Sequence, residues 1–550
     1  MNALNTFARW VAIASLALFA MAQPAAAADG RGPLVSVEWL KSKLGSGEVQ
    51  VLDASSSRLY AAKHIPGAVS VDLYRYGAPH KVTVAEMEKR IQSWGVSPGR
   101  KVVVYDEGAG NTATWLFYEL YYHGFPPSDL FVLDGGLAKW EASGGPVTKD
   151  PTPSPAKGTF RVAATREEVR ARFHDFLTAT GDTARFAVVD ALEPTYHYGG
   201  QKFFDRGGHI PNALLAPVPD FYNADKTFKS PEEIRRMSAY LGIRPEQEIH
   251  THCGGGVAAT VPFFAMKFLA GYPNVKVYKE SQLEWLQDPR GLPFWTYAAP
   301  NIKRDAAWLN SWNSRMMRMY GVSQLSVIDV RPAQAYDLNH VPFAVNIPAE
   351  VFKRHLDDPA ALARILGEAG VDPAHEAVIV SAAGVDPDAA LAFVALEKLG
   401  HKKISILAES VDEWGMKGFP LTKQRTLVGQ PKSPQDDTVP PASYAAQPRP
   451  GVVVRHPGDA PGLYPRVFLA SGKAPPKNAP EGKVVHVPYS DLVMADGSPK
   501  PAHEIWQILS KAGVPRYADI VLLGGEPGEA AVSYFVLRMM GYPDVKLLQA

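Results

Sequence analysis

The sequence predicts an α/β protein made of four similar units, each a small central parallel β-sheet flanked by helices. Three observations carry the prediction. A short element recurs along the chain: HIPGAVSVD from His64, HIPNALLAP from His209, HVPFAVNIP from His340 and, more faintly, APEGKVVHVP from Ala479. Each copy is followed by the same succession of patterns: a helical stretch, a β-branched strand, a small-residue loop, an apolar helix and a second strand. Proline-rich segments part the copies.

Taken in order, the helical stretches end at Gly95-Val96, Gly242-Ile243, Gly370-Val371 and Gly513-Val514. The strands that follow read KVVVYD, EIHTHC, AVIVSA and DIVLLG. After the apolar helix, a turn at Gly124, Gly271, Gly400 or Gly541 leads into DLFVLDGG, NVKVYKES, KKISILAE or DVKLLQA. Three units close on a tryptophan at one offset, Trp140, Trp285 and Trp414. Strands alternating with helices in this way imply βαβ units. Their strand-to-helix loops lie at the carboxyl ends of the strands, where open α/β sheets bind ligands. Cys253 falls on one of these loops. The segments 145–158 and 289–300 separate the first three units, and the longer tract 424–450 reads as a flexible linker.

Composition agrees with several globular domains. At roughly 100–200 residues per domain, 550 residues predict about three to five. The 57 basic and 56 acidic side chains nearly cancel, so nothing points to nucleic acid or to a strongly charged partner. Arg9, the apolar run Trp10 to Met21 and the small-residue stretch from Ala25 to Ala28 form the pattern of a secretory signal peptide over 1–28, cleaved after Ala27 or Ala28. The apolar run is shorter than the roughly 20 residues that span a bilayer. The expectation is therefore a periplasmic protein with no membrane insertion after cleavage. In an oxidising compartment cysteines usually pair, and this chain has only one. A lone thiol there is open to oxidation, so its placement decides whether it is inert or functional.

The Asp-Val-Arg at Asp329, the His-Ile-Pro elements, the strand–loop–helix HTHCGGGVAAT and the closing tryptophans resemble the rhodanese-like family. The resemblance implies four rhodanese-like domains, over 33–148, 160–297, 303–423 and, degenerate, 451–550. It implies a sulfurtransferase: a cysteine at the end of the central strand carries sulfane sulfur as a persulfide between a small sulfur donor and a thiol or protein acceptor. No metal or organic cofactor is expected. The place of Cys253 corresponds to Asp106 in the first unit, to Ala382 or Ala383 in the third and roughly to Gly524 in the fourth, so only the second unit is expected to be active. Around Cys253 the run Gly254, Gly255, Gly256, Val257 and Ala258, followed by a helix from about Ala259, reads as a backbone nest for an anion. The mechanism implied is covalent transfer in two steps.

The donor is less legible. Relatives that act on 3-mercaptopyruvate resemble Cys-Gly-Ser-Gly-Val-Thr, and here Gly255 and Ala258 replace both hydroxyls. Leu192 stands where the resemblance implies a donor-binding arginine. Arg206 is the remaining candidate to hold an anionic donor, and His252 a candidate to act beside the nucleophile. A phosphatase or arsenate reductase loop is excluded, because no arginine lies between Gly254 and Pro262. A metal site in HTHC is disfavoured, because His250 and His252 share one face of a strand and Cys253 takes the other. His64, His209 and His340 recur in units without cysteine and read as structural, as do Asp53, Asp190 and Asp329. From another class, a sulfur-carrier or binding protein that hands persulfide sulfur to a partner without turnover is the alternative.

Overall fold

The computed structural model describes residues 32–549 except 77–80, 431–432 and 434–435. The signal-peptide expectation for 1–28 lies outside the described residues. Four five-stranded sheets are present, and all have one strand order: first, fifth, fourth, second, third. In the second unit the strands are Arg170–Ala171, Phe186–Asp190, Ala213–Leu215, Glu248–His252 and Val275–Tyr278, all parallel. The strand that leads to Cys253 is therefore central, buried between two neighbours. Every residue after Glu248 in it is buried, as in a strand covered on both faces.

The recurrent sequence elements acquire physical reasons. Each Gly-Val or Gly-Ile pair closes a helix. After the helix Pro231–Tyr240, Gly242 takes φ +80° and Ile243 N–H reaches back to the Ser238 carbonyl at 2.9 Å. This is a left-handed C-terminal cap that a glycine accepts without strain. The tryptophans are core residues with a polar handle. Trp140, Trp285 and Trp414 are fully buried, and each indole N–H donates to a proline carbonyl in the segment beyond, at Pro146, Pro293 and Pro420. Proline-rich boundaries thus close each of the first three units by satisfying a buried donor.

The tract 424–450 departs from a flexible linker. Leu427–Val428 pairs with Thr438–Val439, Gln447 N–H binds the Leu399 carbonyl, Arg449 N–H binds Lys398, and Tyr444 binds His401. The carbonyls of Lys398 and Leu399, at the end of helix Pro387–Leu399, take two of these donors, which lays residues 444–449 along the third unit's surface.

The chain folds as two compact units. One comprises the residues up to Glu167 with Tyr222–Phe228 and Phe264–Gly271. In it the turn at 222–228 lies on the loop after strand Lys101–Tyr105: Tyr222 donates to the Gly110 carbonyl and Phe228 N–H to Asp134. The other comprises Glu168–Phe221, Lys229–Phe263 and the chain from Tyr272 onward. Its main core runs through the second, third and fourth repeats, from Tyr198 and Leu215 through Ile328 and Phe393 to Leu469 and Phe535. The helices Pro387–Leu399 and Pro527–Met539 pack directly, with Phe393 edge-on to Phe535 at 5.1 Å.

Candidate active site

Cys253 is the first residue past the central strand of the second repeat and is 3% exposed. Its backbone is held from the neighbouring strand's end. Cys253 N–H donates to Ser281 Oγ at 3.1 Å, Ser281 Oγ donates to the Tyr278 carbonyl at 2.7 Å, and Gln282 N–H donates to the Cys253 carbonyl. Ser281 takes φ +52°, which aims its hydroxyl back at the loop. Sequence reasoning missed this residue, although it stands at the offset of Ser410 from its closing tryptophan.

The Cys-Gly-Gly-Gly turn curls back on the sulfur, and Gly256 N–H points at Cys253 Sγ, 3.1 Å away. Gly256 has φ +88°, and a Cβ there would stand 2.1 Å from the Lys279 carbonyl oxygen, so only glycine fits. At Gly254 a Cβ would meet the ring of Phe203 at 3.1 Å; Phe203 stacks on Tyr196 with centroids 4.4 Å apart. Gly255 has open space beside it, and Gly255, Val257 and Ala258 are half-buried, which places the mouth of the site over them. The helix begins at Thr260, one residue later than expected. Thr260 Oγ1 caps the turn by donating to the Val257 carbonyl at 2.7 Å.

The register of the four sheets corrects one correspondence. Asp53, Asp190 and Asp329 end the second strands and pair with Tyr105, His252 and Val380 at the ends of the central strands. The residues that follow, Asp106, Cys253 and Ser381, are therefore equivalent. The third-repeat counterpart is Ser381, not Ala382 or Ala383; the error arose because strand ends are hard to place from pattern alone. Gly524 follows Leu523 in the fourth repeat as expected. The same loop geometry recurs around other groups. Asp106 accepts N–H bonds from Gly108 at 2.9 Å and Ala113 at 3.1 Å, and Ser381 Oγ accepts from Ala383 at 3.2 Å.

Behind the loop lies a buried acid–imidazole cluster. Asp190 accepts from Leu192 N–H and from His197 Nδ1 at 2.8 Å, and His197 stacks on His209 at 3.6 Å. Burial alone would raise the Asp190 carboxyl, but the charge of His252 and the His197 hydrogen bond outweigh it and hold it at about 2. Burial pushes His197, His252 and His209 below the usual histidine value, His209 furthest, where His197 adds to the effect.

His64 and His340 bind the carbonyls of Tyr60 and Tyr336 and stack on those rings, as His209 does with His197. The strand-end aspartates likewise each accept the N–H two residues on. In the third repeat Arg331 is buried and doubly bonded to Asp329. The position of Leu192 is thus structural in this chain, with His197 doing in the second repeat what Arg331 does in the third.

His252 is fully buried against Phe176, ring centroids 5.4 Å apart, on the sheet face opposite Cys253. Arg206 is exposed; its guanidinium donates to the Leu292 carbonyl at 2.9 Å and lies over Phe294. Among the described residues no three His, Cys, Asp or Glu side chains are grouped to hold a metal, and no helix is long and apolar enough to cross a membrane.

This sheet order, present four times and once with a cysteine at the central strand's end, is that of a known α/β class. The chain belongs to the family of the rhodanese-like domain, whose model matches residues 36–143, 172–288 and 310–417. The chain is 32% identical over 267 residues to the sulfur carrier protein TtuD of Thermus thermophilus, a match covering 46% of this chain and 93% of that protein. It is 32% identical over 279 residues to a probable 3-mercaptopyruvate sulfurtransferase of Pseudomonas aeruginosa, covering 47% and 96%. It is 30% identical over 256 residues to a thiosulfate sulfurtransferase of Azotobacter vinelandii, covering 46% and 92%. The relatives support sulfur transfer as the general chemistry of the chain.

Proposed function

We propose that this protein is a sulfurtransferase that holds sulfane sulfur as a persulfide on Cys253 and passes it to a thiol or other nucleophilic acceptor. One observation carries the reading. In the first repeat the place of Cys253 is taken by a carboxylate, Asp106, and the loop's N–H groups converge on it. The turn is therefore an anion receptor by construction, and in the second repeat its Gly256 N–H is aimed at sulfur. A thiolate or a persulfide anion is what such a receptor stabilises. Cys253 attacks the outer sulfur of the donor, the donor's S–S or C–S bond breaks with its electron pair on the leaving group, and the persulfide remains until an acceptor removes the outer sulfur. We place the reaction in the periplasm on the N-terminal pattern of Arg9 and Trp10 to Met21.

The test is mass spectrometry of the purified chain after exposure to thiosulfate, 3-mercaptopyruvate and polysulfide. A gain of one sulfur on Cys253, absent in Cys253→Ser together with all turnover, is the expected result; turnover retained in Cys253→Ser refutes it. The likeness to a sulfur carrier favours a second reading, delivery to one protein partner. It predicts the same mass gain with negligible release to cyanide or a small dithiol.

A further inference from the structure

The second and fourth repeats meet around a cavity of about 260 Å³, and none of the Cys253 loop residues 253–258 lines it. Tyr198, Tyr240 and Tyr542 form much of its wall, with Leu214, Met540 and Arg516 beside them. The three tyrosines are only 5–6% exposed.

Two of the three hydroxyls are used by the fold. Tyr198 donates to the Met540 carbonyl and Tyr240 to the Ala518 carbonyl, both at 3.0 Å. Tyr542 differs. It follows Gly541, whose φ of +89° ends the helix Pro527–Met539, and its own N–H closes on the Leu537 carbonyl. This turn sets its ring in the core. The first-repeat counterpart is Phe125, fully buried, so the fold asks for a ring at this place and not for a hydroxyl. Among the described residues no group accepts from the Tyr542 hydroxyl or donates to it. A phenol so deeply buried ordinarily has a partner.

Arg516 is half used in the same way. Its Nη2 donates to the Leu215 carbonyl at 3.0 Å, to Asp220 at 2.8 Å and to the Tyr517 hydroxyl at 3.2 Å. Its Nε and Nη1 bond to no described residue. The Tyr198 hydroxyl, the Arg516 guanidinium and the Tyr240 hydroxyl all act electrostatically on the Tyr542 hydroxyl, so the four groups face one space. Burial pushes that hydroxyl well above the usual phenol range, which keeps it a neutral O–H. The unsatisfied groups are thus all able to donate, and they stand in an aromatic and apolar chamber. A carboxylate is the head group that such donors hold most strongly.

We infer that this cavity binds a small aromatic carboxylate, its head on Arg516 and the Tyr542 hydroxyl and its ring among the three tyrosines. Asp220 occupies Nη2, so the ligand takes the remaining guanidinium N–H groups. The volume lies below the roughly 300 Å³ at which sites for drug-sized molecules begin, which limits the ligand to about one ring. The site is separate from sulfur transfer and stands whether or not Cys253 carries a persulfide.

The experiment is isothermal titration of the full chain with benzoate and with benzamide, its uncharged isostere. Benzoate is expected to bind one to one with Kd below about 1 mM, and benzamide about tenfold or more weaker. Tyr542→Phe is expected to weaken benzoate about tenfold and to unfold at no lower temperature than the unmodified chain, because the hydroxyl holds nothing in the protein. Leu214→Trp, which fills the cavity, is expected to abolish binding, and Cys253→Ser to leave it unchanged.

No saturable heat with benzoate in the millimolar range overturns the inference. So does equal affinity for benzamide, or unchanged benzoate affinity in Tyr542→Phe. Loss of binding in Cys253→Ser places the ligand at the loop and overturns it as well. If Leu214→Trp fails to fold, Tyr542→Phe decides alone, since it removes one oxygen that has no partner in the fold.

Discussion

Gly256 and Gly255 are neighbours with opposite tolerances. At Gly256 the left-handed backbone and the Lys279 carbonyl exclude a side chain, while at Gly255 nothing lies within 4 Å of a new Cβ. Gly256→Ala is therefore expected to lower stability by about 2 kcal/mol or more and to abolish sulfur uptake. Gly255→Ser is expected to unfold at the wild-type temperature and to keep its persulfide. Thermal unfolding paired with mass spectrometry checks both, and equal losses in the two variants contradict the loop geometry. The buried aspartates teach a related lesson. Each ends a second strand, but their partners differ: Asp190 takes a hydrogen bond from His197 and Asp329 from Arg331, while Asp53 accepts only from Ser55 N–H among the described residues and its second oxygen is buried without a partner. Burial accordingly raises the Asp53 carboxyl, so the fold places the acid at this position without dictating what meets it.

At the scale of elements, the cluster behind the central strand sets a pH response. His197, His209 and His252 have folded values below their ordinary 6.5. Between those values and about 6.5 the unfolded chain binds more protons, so stability falls as the pH drops below about 6.5. The slope contributed by each histidine is bounded at about 1.4 kcal/mol per pH unit. Asp190 adds stability that is present above its unfolded value and lost only as pH falls toward about 2. Hydrogen exchange of the 248–252 amides is expected to quicken from pH 7 to pH 5 after correction for intrinsic rates. A flat profile contradicts the buried neutral imidazoles. The closing tryptophans belong to the same scale. Trp285→Ala removes a fully buried ring and orphans the Pro293 carbonyl, and is expected to cost about 3–5 kcal/mol in denaturant unfolding.

At the largest scale, the third and fourth repeats are not detachable from the second. Helices Pro387–Leu399 and Pro527–Met539 share one core. The fourth repeat also reaches the second: Arg516 donates to the Leu215 carbonyl and to Asp220, and Tyr198 donates to the Met540 carbonyl. Tyr198 directly follows the segment that carries His197 and Tyr196, so the fourth repeat braces the wall of the Cys253 site. Truncation after residue 424 is expected to expose the apolar face of Pro387–Leu399 and to yield aggregated or protease-sensitive protein. A monodisperse, protease-resistant product with normal sulfur uptake contradicts this.

The repeat, the strand-loop-helix succession, the capping glycines and the position of Cys253 at a strand's end were all legible in the chain. Each depends on residues a few positions apart, and periodicity and turn chemistry report such short distances directly. Short-range pattern alone therefore defines a four-unit α/β protein with one thiol at the carboxyl end of a strand. The tertiary structure decided that Ser381 is that thiol's counterpart, that 444–449 lies on the third repeat, that Arg206 is engaged with Leu292, that the Lys279 carbonyl closes on Gly256 and that Ser281 holds Cys253. Those relations run between strands, and the pairing of Val277 with Thr251 is set by how a crossover helix packs over the sheet, which no local pattern encodes.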